Sequence, residues 1–255
     1  MTKKEKLKTK KVFGLLGKNI SYSFSSGYFK EKFIDLNLDD HEYHNFDMES
    51  LEELSIILKL KQKELKGLNV TIPYKEKILK YLDSVDPTAK KIGAVNTIKF
   101  TKKGSLKGYN TDVYGFRKSL KPLLNSSHKQ ALILGTGGAS KSIAYVFDKL
   151  KIPFLFVSRN PEDKNEISYE AVNEQTLREY QIIVNCTPVG TFPETKRFPN
   201  LPYAFLNHEH LLYDLIYNPS ETAFLAKGKE SGSQIKNGLE MLQLQAEKSW
   251  EIWNR

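Results

Sequence analysis

Two stretches of this chain carry residue types that can do chemistry. The first is a glycine turn, Gly135, Thr136, Gly137 and Gly138, which follows the apolar run ALIL at 131–134 and precedes a helical segment. Glycines at such a bend permit positive φ and leave the backbone bare. A phosphate can then approach the amides that open the helix, where the dipole also favours an anion. The spacing departs from GxGxxG, since a glycine is added at 138 and Ser140 stands at the third glycine position. Such a motif is weak alone; the succession of strand, turn, helix and second strand (154–157) gives it weight. After that second strand an NAD-binding fold places an acidic residue on the ribose hydroxyls, whereas this chain has Ser158, Arg159 and Asn160. A guanidinium there pairs with a 2′-phosphate through a forked, charge-assisted contact, with Lys164 as a second candidate, so the expected cofactor is NADP rather than NAD.

The second stretch is NVTIPYK at 69–75, a strand end followed by one lysine, Lys75, at a helix entrance. Open α/β sheets hold their ligands at the carboxyl ends of strands, where this amine stands. GAVNT at 93–97 and GYNTD at 108–112 then frame a hairpin. Asp112 either caps the helix beginning at 113 or hydrogen-bonds a substrate hydroxyl, and both readings stay open. The same holds for Ser23, Ser25 and Ser26, which either satisfy the amides of a helix start or hold a substrate carboxylate there.

The elements that must position these groups alternate between apolar runs and helical periodicity, an α/β pattern. Strands are expected at 12–17, 42–48, 67–71, 98–100, 131–134, 154–157, 181–187 and 211–217, the last stopped by Pro219. The serine-rich stretch 21–26 introduces a helix running to about 36, and further helices are expected at 51–60, 139–149 and 221–229. Apolar residues at 239, 242, 246, 250 and 253 form the stripe of a closing helix.

A chain of 255 residues with 40% hydrophobic and 27% charged residues has the length and composition of a two-domain globular protein. No apolar run approaches the roughly 20 residues of a membrane span, and the lysine-rich start lacks the apolar core of a signal peptide, so a cytoplasmic location is expected. The single cysteine, Cys186, excludes an intrachain disulfide and suits a reducing compartment. Over half of the formal charge of +9 lies in the first eleven residues, and no basic stripe is interleaved with stacking aromatics, which argues against nucleic acid as a partner. His41 with His44, and His208 with His210, lack HExxH spacing or cysteine partners; they are expected to be solvated loop residues, with no metal.

Taken in order, GLLG with Ser23 and Ser25, NVTIPYK, GAVNT, GYNTD, the glycine turn, NCTPVG, YDLIYNP and GLEMLQLQ resemble the shikimate dehydrogenase family from Val12 to Trp253. The resemblance implies an α/β fold with an N-terminal α/β substrate domain completed by the C-terminal helix, and a Rossmann-type NADP-binding domain. Residues 1–111 with 236–255 would form the first, and 112–235 the second. It implies reversible reduction of 3-dehydroshikimate to shikimate with NADPH, in the biosynthesis of aromatic amino acids, by a monomer or homodimer. Lys75 and Asp112 match the family's pair at the reacting carbon. Ser23, Ser25, Asn69, Thr71, Asn96, Tyr217 and Gln245 match its substrate site. Gly135, Thr136, Gly137, Gly138, Ala139, Ser158, Arg159, Asn185, Thr187 and Gly238 form the implied cofactor set. The family's HSxSP is replaced by Tyr22, Ser23, Phe24, Ser25 and Ser26. Two alternatives remain: a quinate or shikimate dehydrogenase using NAD, and a catalytically idle homologue that binds shikimate-like ligands.

Overall fold

The computed structural model describes residues 10–20, 23–61 and 64–255. The lysines before Lys10, and Tyr22, lie outside the described residues. The chain divides into two compact units, Met1–Thr111 with Ser249–Arg255, and Asp112–Lys248. The expected return of the chain to the first unit at residue 236 falls instead at Ser249. The reason is local: a Cβ on Gly115 of the second unit would lie 2.5 Å from the Met241 carbonyl and 3.2 Å from Gln245, so the start of the last helix packs there.

In the first unit the elements run β1 (Lys11–Gly17), α1 (Phe24–Asp35), β2 (His41–Asp47), α2 (Leu54–Lys61), β3 (Leu65–Val70), β4 (Ser84–Val85), α3 (Pro87–Ile92), β5 (Thr97–Phe100) and β6 (Leu106–Tyr109). They form one six-stranded sheet in the order β2-β1-β3-β5-β6-β4. β1 is parallel to both β2 and β3, while β5 runs antiparallel to β3 and β6. An aliphatic cluster built on Val12, Leu16, Leu65, Leu68 and Ile98 includes Leu54 and Ile78. An aromatic group gathers on Phe13: Phe33, His41, Trp250 and Trp253 all place ring centroids within 6 Å of it. Trp253 lies over Gly67, where a Cβ would stand 2.2 Å from its indole nitrogen, and that nitrogen donates to the Ile98 carbonyl at 3.0 Å. Glycine at 67 is what lets a tryptophan ring lie on the strand.

The second unit contains α4 (Asp112–Leu120), β7 (Ala131–Leu134), α5 (Gly138–Leu150), β8 (Phe154–Ser158), β9 (Glu166–Ser168), α6 (Glu174–Glu179), β10 (Ile182–Asn185), β11 (Leu211–Asp214), α7 (Ala223–Glu230), β12 (Gln234–Lys236) and α8 (Leu239–Asn254), whose last residues count with the first unit. Its six strands are parallel, in the order β12-β11-β10-β7-β8-β9. Counted along this unit the order is 6-5-4-1-2-3, the doubly wound arrangement of dinucleotide-binding folds. Alternate residues of β7 serve opposite faces: Ala131 and Ile133 meet Phe116, Ile143 and Phe147, whereas Leu132 and Leu134 meet Leu177, Phe224 and Leu225. Burial on both faces accounts for the unbroken apolar runs in the sequence.

Several expectations need correction. β11 stops at Asp214 rather than 217. The carboxylate of Asp214 accepts the Ile216 amide at 3.0 Å, a local turn that removes that amide from the ladder. The histidines are not all solvated loop residues. His41 lies on β2 with its side chain 4% exposed, stacked on Phe13 at 5.7 Å. His210 is buried, with Nδ1 3.1 Å from the Asn207 amide and Nε2 2.9 Å from the Leu177 carbonyl.

Candidate functional site

In the first unit, the residues singled out after β3 are held by main-chain bonds. Thr71 donates to the Leu16 carbonyl at 2.9 Å, and Tyr74 to the Thr71 carbonyl at 2.9 Å. The Lys75 carbonyl accepts the Val95 amide at 2.8 Å, which fixes the lysine's backbone beside the GAVNT segment. That segment starts at Gly93, whose φ of +74° ends α3 in the left-handed region that glycine adopts freely. The Asn96 carbonyl accepts from Val70, and the Asn96 amide donates to Tyr109, so the asparagine is tied to both sides of the sheet.

Around Asn69 and Asn96 lies a buried polar cluster. Asn69, 4% exposed, accepts the Tyr43 hydroxyl at 2.8 Å and donates to the Ser249 hydroxyl at 3.0 Å. Asn96, 3% exposed, accepts the Thr111 amide at 2.7 Å and donates from Nδ2 to the Thr111 hydroxyl at 3.0 Å. Ser25 is buried and hydrogen-bonds Tyr43, an interaction that opposes the upward push of burial on the tyrosine's pKa. Ser23 is the N-cap of α1 by its extended backbone, yet its side chain makes no capping bond. Ser23, Ser25, Asn69, Thr71, Lys75 and Asn96 therefore all belong to this unit. Asp112, Tyr217 and Gln245 belong to the other. Asp112 is buried as the first residue of α4, Tyr217 is half-buried after β11, and Gln245 is buried on α8.

In the second unit the glycine turn follows β7, the strand at which the order reverses between β7 and β10. Gly135 has φ +98°, and a Cβ there would stand 3.2 Å from the Thr187 methyl. Thr136 and Gly137 are exposed, and nothing lies within 4 Å of where a Gly137 Cβ would project. Gly138 and Ala139 open α5, with no acidic residue in its first turn. Asn185, fully buried, accepts both the amide and the hydroxyl of Thr187 at 3.1 and 2.6 Å, and donates to Asp214 at 3.1 Å. Ser158 forms a tight turn with Asn160, its hydroxyl donating to the Asn160 carbonyl at 3.1 Å, and Arg159 projects from it to solvent. Lys164 is also exposed. Gly238 has a packing reason to be glycine, since a Cβ would lie 2.1 Å from the Leu215 carbonyl.

This turn fits a dinucleotide diphosphate. Open space stands over Gly137, the amides of α5 face it without a competing carboxylate, and the buried Ser140 hydroxyl has no hydrogen-bond partner in the protein. Among the described residues, no group of three or more His, Cys, Asp or Glu side chains is placed to hold a metal ion. No helix among them is long and apolar enough to cross a membrane.

The family model for the shikimate dehydrogenase substrate binding domain matches residues 15–98. The chain is 38% identical over 252 residues to the shikimate dehydrogenase (NADP(+)) of Clostridium beijerinckii, covering 94% of this chain and 91% of that one. The chain belongs to the shikimate dehydrogenase family. The family's NADP(+) enzyme from Methanococcus vannielii is 35% identical over 260 residues, covering 95% and 90% of the two chains. Among solved shikimate dehydrogenases, that of Thermus thermophilus in complex with NADP(H) and shikimate superposes with a TM-score of 0.83 at 31% identity, covering 95% and 93%.

Sequence reasoning missed Thr97, Thr111, Ser249 and Asp214, all buried and polar. A signal existed for two of them. Ser249 sits on the apolar stripe of α8, three residues after Ala246 and four before Trp253, and Asp214 ends an otherwise apolar strand. A polar side chain in such a place must find a partner.

Proposed function

We propose that this chain is an NADP-dependent shikimate dehydrogenase, reversibly reducing 3-dehydroshikimate to shikimate. The observation that carries the reading is the doubly wound sheet with its glycine turn at the switch point and Arg159 after the next strand, within a chain similar along its length to NADP(+) enzymes of this family. Bound there, NADPH supplies the hydride. Lys75 donates a hydrogen bond and a proton to the substrate oxygen as negative charge develops on it, and Asp112 orients the lysine and an adjacent substrate hydroxyl. Ser23, Ser25 and Tyr217 take the substrate carboxylate, while Asn69, Thr71, Asn96 and Gln245 hold its hydroxyls. Gly135, Thr136, Gly137, Gly138 and Ala139 cradle the diphosphate, with Asn185, Thr187 and Gly238 along the rest of the cofactor. Arg159 pairs with the 2′-phosphate, beside Ser158. The reading carries a cytoplasmic location, which a chain with a single cysteine suits, and a chain active as monomer or homodimer.

The test is a spectrophotometric assay of shikimate and of quinate with NADP+ and with NAD+. Shikimate with NADP+ is expected to be the fastest pair. Lys75→Ala should lower kcat by about a hundredfold or more. Arg159→Ala should raise KM for NADP+ by roughly 10–100-fold, the loss of a charged hydrogen bond, and leave KM for NAD+ nearly unchanged. A near-normal kcat in Lys75→Ala would remove that residue from the mechanism, and a wild type inert toward shikimate with both cofactors would overturn the function.

A further inference from the structure

The two buried asparagines assigned to the substrate are joined by two hydroxyls, that of Thr97 and that of Ser249 from the other end of the chain. Ser249, fully buried on α8, accepts the Asn69 amide at 3.0 Å and lies 2.8 Å from the Thr97 hydroxyl. Thr97 in turn donates to Asn96 Oδ1 at 3.0 Å. The Thr111 hydroxyl lies 3.2 Å from both Thr97 and Ser249, so these groups form one connected cluster. Asn96 Oδ1 accepts the Thr111 amide at 2.7 Å, and when Thr97 also donates to it the Thr97 lone pair is left for Ser249. Ser249 then donates to Thr97 and accepts from Asn69. The chain Asn69 to Ser249 to Thr97 to Asn96 runs in one direction. The main-chain Thr111 amide is what marks the oxygen of Asn96, and the hydroxyl chain gives the Asn69 amide its acceptor. Asn69 is held at its other end by the Tyr43 hydroxyl, which donates to its Oδ1 at 2.8 Å. The alternative acceptors for its amide, the Asn96 carbonyl and the Thr97 hydroxyl, are each 3.4 Å away, too long to hold the side chain by themselves.

We infer that Ser249 is a positioning residue for substrate recognition: it holds the Asn69 amide directly and braces Asn96, which the Thr111 amide orients, through Thr97, and so keeps both side chains in the arrangement that accepts the substrate's hydroxyls. The inference rests on the proposed function, which places both asparagines on the substrate. A donor and an acceptor turned the wrong way round discriminate against the right ligand as strongly as they should favour it, because buried polar groups are left unpaired.

The test compares wild type with Ser249→Ala, which deletes the link, and Thr97→Val, which deletes the next link with the side-chain shape kept. Ser249→Thr, which keeps the hydroxyl, serves as rescue. Dissociation constants for shikimate and for NADP+ are measured separately by calorimetry, with steady-state KM and kcat and thermal midpoints alongside. Ser249→Ala and Thr97→Val should each weaken shikimate about tenfold, the effect of one ordering hydrogen bond, with NADP+ affinity unchanged. Ser249→Thr should restore shikimate affinity. If Ser249→Ala does not fold, Thr97→Val reads the same chain. The inference is overturned if shikimate affinity stays at the wild-type value in a folded variant, or if shikimate and NADP+ affinities fall together with the thermal midpoint. A wild type that does not bind shikimate would instead sink the proposed function, a separate outcome.

Discussion

Asp214 should make the protein less stable as pH rises from about 4 to 6, the reverse of an ordinary salt-bridged carboxylate. The residue ends β11 with no exposed surface, paired in register with Asn185. Its Oδ1 accepts the Asn185 amide at 3.1 Å and the Ile216 amide at 3.0 Å, and its Oδ2 accepts the Thr222 hydroxyl at 2.7 Å. Burial pushes its pKa up from 3.8 to about 6, and these three hydrogen bonds pull the other way without cancelling the cost of desolvation. With the folded value raised, the folded state keeps a proton that the unfolded state has already lost between the two values. Stability contributed by neutral Asp214 is therefore present in full below the unfolded value and is lost as pH passes through the folded one. The difference of roughly two units corresponds to about 3 kcal/mol once both states are ionised.

Asp214→Asn is isosteric and does not titrate. Its Oδ1 keeps the Asn185 and Ile216 bonds, while its amide faces Thr222, whose hydroxyl proton loses its acceptor at a cost of about 1–2 kcal/mol. The variant should be less stable than wild type by that amount near pH 4 and more stable by about 1–2 kcal/mol near pH 8, so the two stability curves cross. Urea unfolding followed at half-unit pH steps measures both curves. Parallel curves, with a constant difference between wild type and variant, would show that Asp214 titrates at its ordinary value and would refute the argument from burial.

Gly67→Ala tests the seat of Trp253. A methyl 2.2–2.4 Å from the indole forces the ring off the strand and breaks its bond to Ile98, which should cost about 2–4 kcal/mol in urea unfolding and shift tryptophan emission to the red; unchanged stability and emission would refute the contact. His128 is buried beside His210, and burial lowers its pKa below 6.5, so it favours the neutral ring in the folded state. Its Nδ1 stands 3.2 Å from the Asn125 amide, which needs an acceptor. The stability it contributes is present above the unfolded value and is lost as pH falls below it; replacing it by Asn should flatten the stability curve between pH 6.5 and 5, and a curve of unchanged slope would count against the assignment.

How much of this was legible in the sequence follows from where each residue's partner lies. The strands of the second unit that are buried on both faces, β7 and β10 at the centre with β11 beside them, read as apolar runs because every position meets a helix. β9 and β12, three residues each at the two edges of the same sheet, have half-buried and polar faces and gave no such run. The glycine turn was visible because its constraint is local: a positive φ at Gly135 favours glycine whatever packs around it. Gly67 and Gly238 are glycines for a different reason, a Trp253 ring 186 positions on in one case and a Leu215 carbonyl in the other, and nothing in their flanking residues announces it. The same distinction divides the site. Asn69 and Asn96 lie in short motifs that can be read as such, but the hydroxyl that accepts the Asn69 amide is 180 residues away. Its one local trace is that a serine stands where the stripe of α8 calls for an apolar side chain. A hydroxyl at such a position is stable only if the neighbouring layer supplies both a donor and an acceptor. An apolar replacement there would leave the Asn69 amide without its 3.0 Å acceptor, so the serine's presence itself predicts a polar partner within the core of the first unit.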